Sequence, residues 1–230
     1  MKIAGLQPFT LTDYPGKIAA IIFTQGCNFR CPFCHNGALL PPEPQSGKLM
    51  PEDAFFEFLE KRRGKLDGVV VSGGEPTLQS DLAEFAAKIK TMGFLVKLDT
   101  NGSRPKVLKN LLKKGLVDFV AMDIKAPFEK YGILTGLEDN CCRPQASLGY
   151  ARQAGLDLGS KTSKKIVSAI KESIKNIAAS GVEHLFRTTF VDKLMSRKDL
   201  EKIKNMVPKS SKWIVQKFEK ENALKGELRK

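Results

Sequence analysis

Three of the five cysteines in this 230-residue chain crowd into the segment GCNFRCPFCHN, residues 26–36. Cys27, Cys31 and Cys34 are spaced C-x3-C-x2-C, and Gly26, Asn28 and Pro32 argue against regular helix between them. Such a loop can fold around an ion or a cluster so that three sulfurs converge. A structural zinc site normally closes with four protein ligands, and His35 follows Cys34 so directly that both on one ion would be awkward. An iron–sulfur cluster normally takes four thiolates. With three, a [4Fe–4S] cluster would keep one iron open to a small molecule, and an open position is what chemistry requires. Cys141 and Cys142 stand far downstream and read as reduced thiols in a surface loop.

Further segments place polar groups directly after apolar runs. VVVSGGEPT offers Ser72, Gly73, Gly74 and Glu75, where two glycines let the backbone approach a ligand and leave amides and carbonyls to bond it. Read alone, a glycine pair is only a turn. LVKLDTNGS places Asp99 and Thr100, and FVAMDIKAP places Asp123 and Lys125; aspartates so placed commonly cap whatever follows. FRTTFV carries Arg187, which by itself reads as a strand-end charge paired at the surface. His184 is assigned no role.

These groups need a frame. Ile18–Phe23, Gly68–Ser72, Leu95–Asp99, Phe119–Asp123, His184–Thr189 and Trp213–Phe218 read as strands, several of them apolar on consecutive positions as in parallel sheets covered on both faces. Pro51–Arg62, Ser80–Met92, Pro105–Lys114, Ser163–Ser180 and Arg197–Met206 read as helices. Pro51 and Pro105 suit first turns, and Gly64, Gly93, Gly115 and Gly181 follow the ends. Ile166, Ile170, Ile174 and Ile177 recur on one helical face. Strands alternating with helices imply a parallel sheet with helical crossovers. Six such units are too few for a closed eight-stranded barrel, so the expected fold is α/β, a partial, open (βα)6 barrel with parallel strands. Ligands bind such folds at the carboxyl ends of the strands, where the cysteine loop, SGGEPT, DTNG and DIKAP all fall. A single domain over residues 1–230 is expected, its core about 13–218, with an irregular insertion at about 131–164 that includes GLDLGSKTSKK and a frayed charged tail at 219–230.

Composition narrows the class. Hydrophobic residues at 42% and charged residues at 27% are ordinary for a globular protein. No apolar run approaches the ~18 residues of a membrane span, and the N-terminus lacks the apolar region and cleavage site of a signal peptide. The expected location is the cytoplasm, with no membrane partner. An odd cysteine count without a secretion signal argues against a disulfide framework. A net charge of +13 could steer nucleic acid or an acidic protein. The lysines are spread along helices and tail, however, with no helix-turn-helix, zinc-finger or aromatic stacking signature, so nucleic acid is not an expected partner.

Taken in order, the segments resemble the radical S-adenosylmethionine (SAM) enzymes. GCNFRCPFCHN is similar to their signature loop, which holds a [4Fe–4S] cluster on three cysteines and leaves the open iron to the amino and carboxylate groups of SAM. An electron from the cluster then cleaves SAM to methionine and a 5′-deoxyadenosyl radical. The resemblance implies Cys27, Cys31 and Cys34 as ligands, with His35 and Asn36 shaping the loop. SGGE is similar to the family's GGE motif, which implies Gly73, Gly74 and Glu75 at the SAM ammonium. D-T-N-G and D-x-K resemble the activating enzymes of glycyl-radical proteins, where these positions help hold SAM and can bind a monovalent cation beside it. Lys125 would meet the SAM carboxylate, and Asp99, Thr100 and Asp123 would supply oxygens. Arg187, in a segment similar to an R-T-T of that group, would contact SAM or the site mouth. LTDYPGK resembles the opening of activators of anaerobic ribonucleoside-triphosphate reductase.

The implied function is therefore to generate a glycyl radical on that class III reductase, with electrons from a donor such as flavodoxin or ferredoxin and no side chain as acid or base. The resemblance runs from Asp13 to Phe218 and weakens between Tyr131 and Lys164, where two cysteines are too few for the ferredoxin-like insert of some related activators. Two other readings stand. The target could be a pyruvate formate-lyase-type enzyme or a small molecule. Alternatively the chain could be a non-enzymatic iron–sulfur or zinc module, against which the missing fourth ligand and the intact SGGE argue.

Overall fold

Valine, isoleucine and phenylalanine favour extended backbone that is packed on both sides, and the apolar runs obey that preference. The computed structural model describes residues 1–45, 47–137, 159–224 and 226–228; Cys141 and Cys142 lie outside them. Among the described residues one sheet forms from β1 (Ile3–Thr10), β2 (Ala19–Thr24), β3 (Gly68–Gly73), β4 (Leu95–Thr100), β5 (Phe119–Asp123), β6 (Glu183–Phe190) and β7 (Lys212–Lys217). Spatial order follows chain order from β1 to β7, with those two strands at the edges, so the barrel stays open. From β2 onward every pairing is parallel.

The first strand is an addition to the expected six. It runs antiparallel to β2, from Ile3 opposite Thr24 to Thr10 opposite Ala19. Its sequence, IAGLQPFT, contains a glycine and a proline and no sustained apolar run. An edge strand tolerates both residues, which is why the pattern gave no strand signal.

Helices pack on the outer face: α1 (Glu52–Glu60), α2 (Leu82–Thr91), α3 (Pro105–Lys113), α4 (Tyr131–Leu134), α5 (Gly159–Ala178) and α6 (Arg197–Met206). Three expectations need correction here. Helix α5 starts at Gly159, inside GLDLGSKTSKK, because its polar first turns carry no apolar period to detect. The stretch read as an irregular insertion from Tyr131 opens with α4, whose Tyr131 and Leu134 are buried. A third concerns the tail: short 3-10 turns at Lys220–Asn222 and Gly226–Leu228 bury Ala223 and Leu228, so it is not simply frayed.

Alternation along each strand sorts the core into two layers. Val69, Val71, Val96, Leu98, Val120 and Met122 face the helices, where Phe85, Leu108, Ile170, Ile174 and Ile177 meet them. Ala19, Ile21, Val70, Phe119, Ala121 and Leu185 face the concave interior, closed at one end by Tyr14. Each such aliphatic side chain contributes ~1.5–3 kcal/mol by leaving water. Nearer the carboxyl ends the interior positions turn polar: Ser72, Asp99, Asp123 and Arg187. That change of chemistry within one face sets the site.

Candidate active site

The cysteine loop springs from the end of β2 and is braced at both its root and its far side. Gly26 N–H donates to Leu39 O at 2.8 Å and Cys27 N–H to Leu40 O at 3.1 Å. On the far side, Arg30 N–H donates to Thr135 O at 2.8 Å, and the Phe29 ring meets Tyr131 edge-on at 6.4 Å. Helix α4 is therefore a buttress for the loop. Asn28 donates to Ser103 Oγ at 2.9 Å, and Asn101 Nδ2 donates to Asn28 Oδ1 at 3.0 Å, tying the loop to the turn after β4. All three thiols are free and line one cavity of ≈ 360 Å³. Burial pushes the Cys27 thiol up to about 11 and the Cys31 thiol up to about 12, because desolvation outweighs the pull of the Lys125 ammonium on a thiolate there. Binding iron would supply that compensation and expel the protons.

SGGE closes β3 and is wedged against the root of the same loop. A Cβ on Gly73 would sit 2.2 Å from Thr24 N, and one on Gly74 would sit 2.1 Å from Gly26 O. Gly73 also has φ 115°, a conformation other residues avoid. Gly74 N–H donates to Thr24 O at 2.9 Å, and Glu75 N–H to Gly26 O at 2.8 Å. The glycines thus let two backbones touch, in addition to lining the cavity. Glu75 is fully buried, and its two oxygens accept from Thr77 N–H (3.1 Å), the Thr77 hydroxyl, the Thr100 hydroxyl (2.7 Å) and Asn101 N–H (2.7 Å). Burial raises its carboxyl above the ordinary value, and these donors only partly offset it. Its role in this geometry is to lock the end of β3 to the end of β4.

The third part is a charge network across β4, β5 and β6. Arg187 Nε donates to Asp123 Oδ1 at 2.8 Å while its Nη1 reaches Asp99 Oδ2 at 3.3 Å. Lys125 Nζ pairs with Asp123 Oδ2 at 2.9 Å. Burial opposes charge on Asp123, but Arg187 and Lys125 outweigh it and hold the carboxyl well below the usual range. Lys97, which the sequence reading passed over, pairs with Asp99 Oδ1 from deeper in the interior. A lysine on the inward face of a buried strand was the available signal. Asn101 was also passed over, its role as the link to Asn28 being invisible without the fold.

The geometry therefore brings Cys27, Cys31, Cys34, Gly73, Gly74, Glu75, Asp99, Thr100, Asp123, Lys125 and Arg187 to one cavity, with His35 and Asn36 on its rim. His35 stacks on Phe218 at 5.7 Å, which pins the loop under the C-terminal segment. His184 is elsewhere, its two ring nitrogens engaged by Val182 O and Ser211 Oγ. Among the described residues no three His, Cys, Asp or Glu side chains are placed to hold a single ion. Three soft thiols lining one cavity are a donor set suited to an iron–sulfur cluster. Among the described residues no helix is long and apolar enough to cross a membrane.

Comparison with known proteins agrees with this geometry. The profile described as the radical SAM superfamily matches residues 21–158. A Methanocaldococcus jannaschii protein, provisionally named a glycyl-radical enzyme activating enzyme, is 36% identical over 99% of this chain and 84% of its own length. A pyruvate formate-lyase-activating enzyme of Streptococcus mutans is 32% identical over 64% of this chain and 63% of its own. In fold, SuiB of Streptococcus suis bound to S-adenosylmethionine superposes with a TM-score of 0.59 at 12% identity, over 86% of this chain and 40% of SuiB. The chain thus spans about two fifths of that larger protein.

Proposed function

The chain belongs to the radical SAM superfamily, within its group of glycyl-radical enzyme activating enzymes, and from that premise we propose that it installs a glycyl radical on anaerobic (class III) ribonucleoside-triphosphate reductase. Enzymes of this family use a [4Fe–4S] cluster and SAM, and its activating enzymes act on glycyl-radical enzymes. In this reading Cys27, Cys31 and Cys34 hold the cluster. Bound together and given one electron by a reductant, cluster and SAM would supply a 5′-deoxyadenosyl radical, with methionine as the leaving group, to take a hydrogen atom from a glycine Cα of the partner.

The rest falls to the chain's own groups. Lys97, Lys125 and Arg187 face Asp99 and Asp123, three cations against two carboxylates. That single surplus positive charge suits the carboxylate of SAM, and Lys125 lies where its remaining donors reach the cavity. Gly73 and Gly74 offer backbone to the SAM ammonium. Glu75 acts one step back, holding the SGGE and DTNG turns in register. The open sheet leaves the mouth accessible to a loop of the partner, and the buried walls exclude water from the interior.

One observation carries the reading: the three thiols, SGGE, Asp99, Thr100, Asn101, Asp123, Lys125 and Arg187 line a single cavity at the carboxyl ends of consecutive strands. LTDYPGK supports the reductase as target, and its Asp13 joins the same lining. The Streptococcus mutans relative favours a second reading, in which the target is a pyruvate formate-lyase-type enzyme. The test is anaerobic reconstitution with iron and sulfide, reduction with dithionite, and measurement of 5′-deoxyadenosine formed from SAM. Cys31→Ala serves as the control. Adding each candidate partner and recording its glycyl radical by electron paramagnetic resonance then separates the targets. No product with an intact cluster and either partner would favour a non-enzymatic module.

A further inference from the structure

The resemblance to activating enzymes carries an expectation that this site does not meet. An exchangeable monovalent cation would need oxygens from Asp99, Thr100 and Asp123. Each is already engaged. Asp99 Oδ1 pairs with Lys97, and its Oδ2 accepts from Ser72 Oγ at 3.2 Å and from Arg187 at 3.3 Å. Asp123 gives one oxygen to Arg187 and the other to Lys125. The Thr100 hydroxyl donates to Glu75 at 2.7 Å and accepts from Gly102 N–H at 3.1 Å. A further cation would have to displace a protein donor and would add to a network that already holds an excess of positive charge. The side-chain oxygens of Asp99, Thr100 and Asp123 therefore offer no unpartnered ligand to a separate monovalent ion.

Lys97 explains why none is needed. Positions along β4 alternate, so Val96 and Leu98 face the helices while Lys97 and Asp99 face the interior. The Lys97 side chain is only 2% exposed, and its ammonium lies 6.0 Å from the Phe119 ring centroid. It stands behind Asp99 as seen from the cavity, and is absent from the cavity lining while Asp99 is part of it. Burial lowers the hold of Lys97 on its proton and the Asp99 carboxylate opposes that loss, so Lys97, at 2% exposure, places a compact point charge behind Asp99.

We propose that Lys97 is a built-in cation: from behind Asp99 its ammonium supplies the charge balance that an exchangeable potassium or sodium ion would otherwise give on the cavity side, so that SAM binds without one. Lys97 is thus a positioning residue. It acts through Asp99, keeping that carboxylate charge-balanced and aimed while the cavity side of the network meets SAM. The inference rests on the SAM-binding reading above. It predicts that wild-type affinity for SAM is indifferent to the alkali cation, and that deleting the ammonium creates a dependence where none existed.

The test is calorimetric titration of SAM into the unreduced, cluster-loaded protein, where binding is read without turnover. Potassium chloride, sodium chloride and N-methylglucamine chloride are compared at equal ionic strength. Wild type is expected to bind equally in all three. Lys97→Met keeps the length and loses the charge. It should bind SAM at least about tenfold more weakly in N-methylglucamine and regain most of that loss in potassium or sodium. A merely structural lysine would not show cation-specific rescue. Equal binding by Lys97→Met in all salts overturns the proposal, as does a wild type that needs potassium or sodium; the latter comparison decides even if the variant does not fold. Absence of SAM binding to the wild type in every salt, with the cluster intact, overturns the SAM reading itself and this inference with it.

Discussion

Gly74 offers the sharpest quantitative check on how the site is assembled. A Cβ there would lie 2.1 Å from Gly26 O and 3.0 Å from Leu39 O, both backbone atoms that cannot swing aside. Gly74→Ala must therefore drive the SGGE turn off the root of the cysteine loop by more than ~1 Å to reach ordinary contact. Two hydrogen bonds cross that seam, Gly74 N–H to Thr24 O and Glu75 N–H to Gly26 O. Losing both costs about 2 kcal/mol and overpacking adds about 1–3, for a total of about 3–5 kcal/mol. In a chain of this length that lowers the melting temperature by about 6–20 °C. The assay is thermal unfolding of the cluster-free protein, so that no bound group masks the effect. Gly115→Ala is the control: a Cβ there meets nothing within 4 Å and only the φ of 64° is penalised, a cost of about 1–2 kcal/mol. If Gly74→Ala melts no lower than Gly115→Ala, the close backbone approach is not what these glycines are for.

Other substitutions probe the remaining contacts. Glu75→Gln keeps the acceptor that serves Thr77 and Thr100 but points an amide at Asn101 N–H, at a cost of about 2–3 kcal/mol by urea denaturation. Because the folded Glu75 carboxyl titrates above its unfolded value near 4.5, the folded state holds the extra proton. Wild-type stability should then fall as pH rises from there through the raised value, and Glu75→Gln should remove that component of the slope. Arg187→Lys keeps the charge but cannot bridge Asp99 and Asp123 together, so it should cost about 1–2 kcal/mol, against about 3–5 for Arg187→Met. Equal losses for the two would show that the bridging geometry is irrelevant.

Much of the frame could be read from the chain because buried parallel strands are written as unbroken apolar runs. Gly68–Ser72 and Phe119–Asp123 are found within a residue of their observed bounds. Strand β1 escaped because half-exposed edge backbone needs no such pattern, and the start of α5 escaped because its early turns are polar. In the site, residues announced by a local motif were found. Those that matter only through another part of the chain were not. Lys97 looks like a surface lysine until alternation turns it inward, and Tyr131 looks like the start of an insertion until it packs on Phe29. The glycines of SGGE were found, though their contact with Thr24 and Gly26 belongs to the fold and not to the motif.

The chain-order arrangement of the sheet bears on how the protein is made. Each strand pairs with its predecessor, so a nascent chain can add strands one at a time as it emerges. The cysteine loop is synthesised before its braces: Gly74 and Glu75 come first, then Asn101 and Ser103, then Thr135, and last Phe218. Its thiols thus emerge before the segments that fix them. Iron loading that waits for the chain to pass Phe218 would find a finished cradle, whereas earlier loading would find three loosely held sulfurs open to any soft metal.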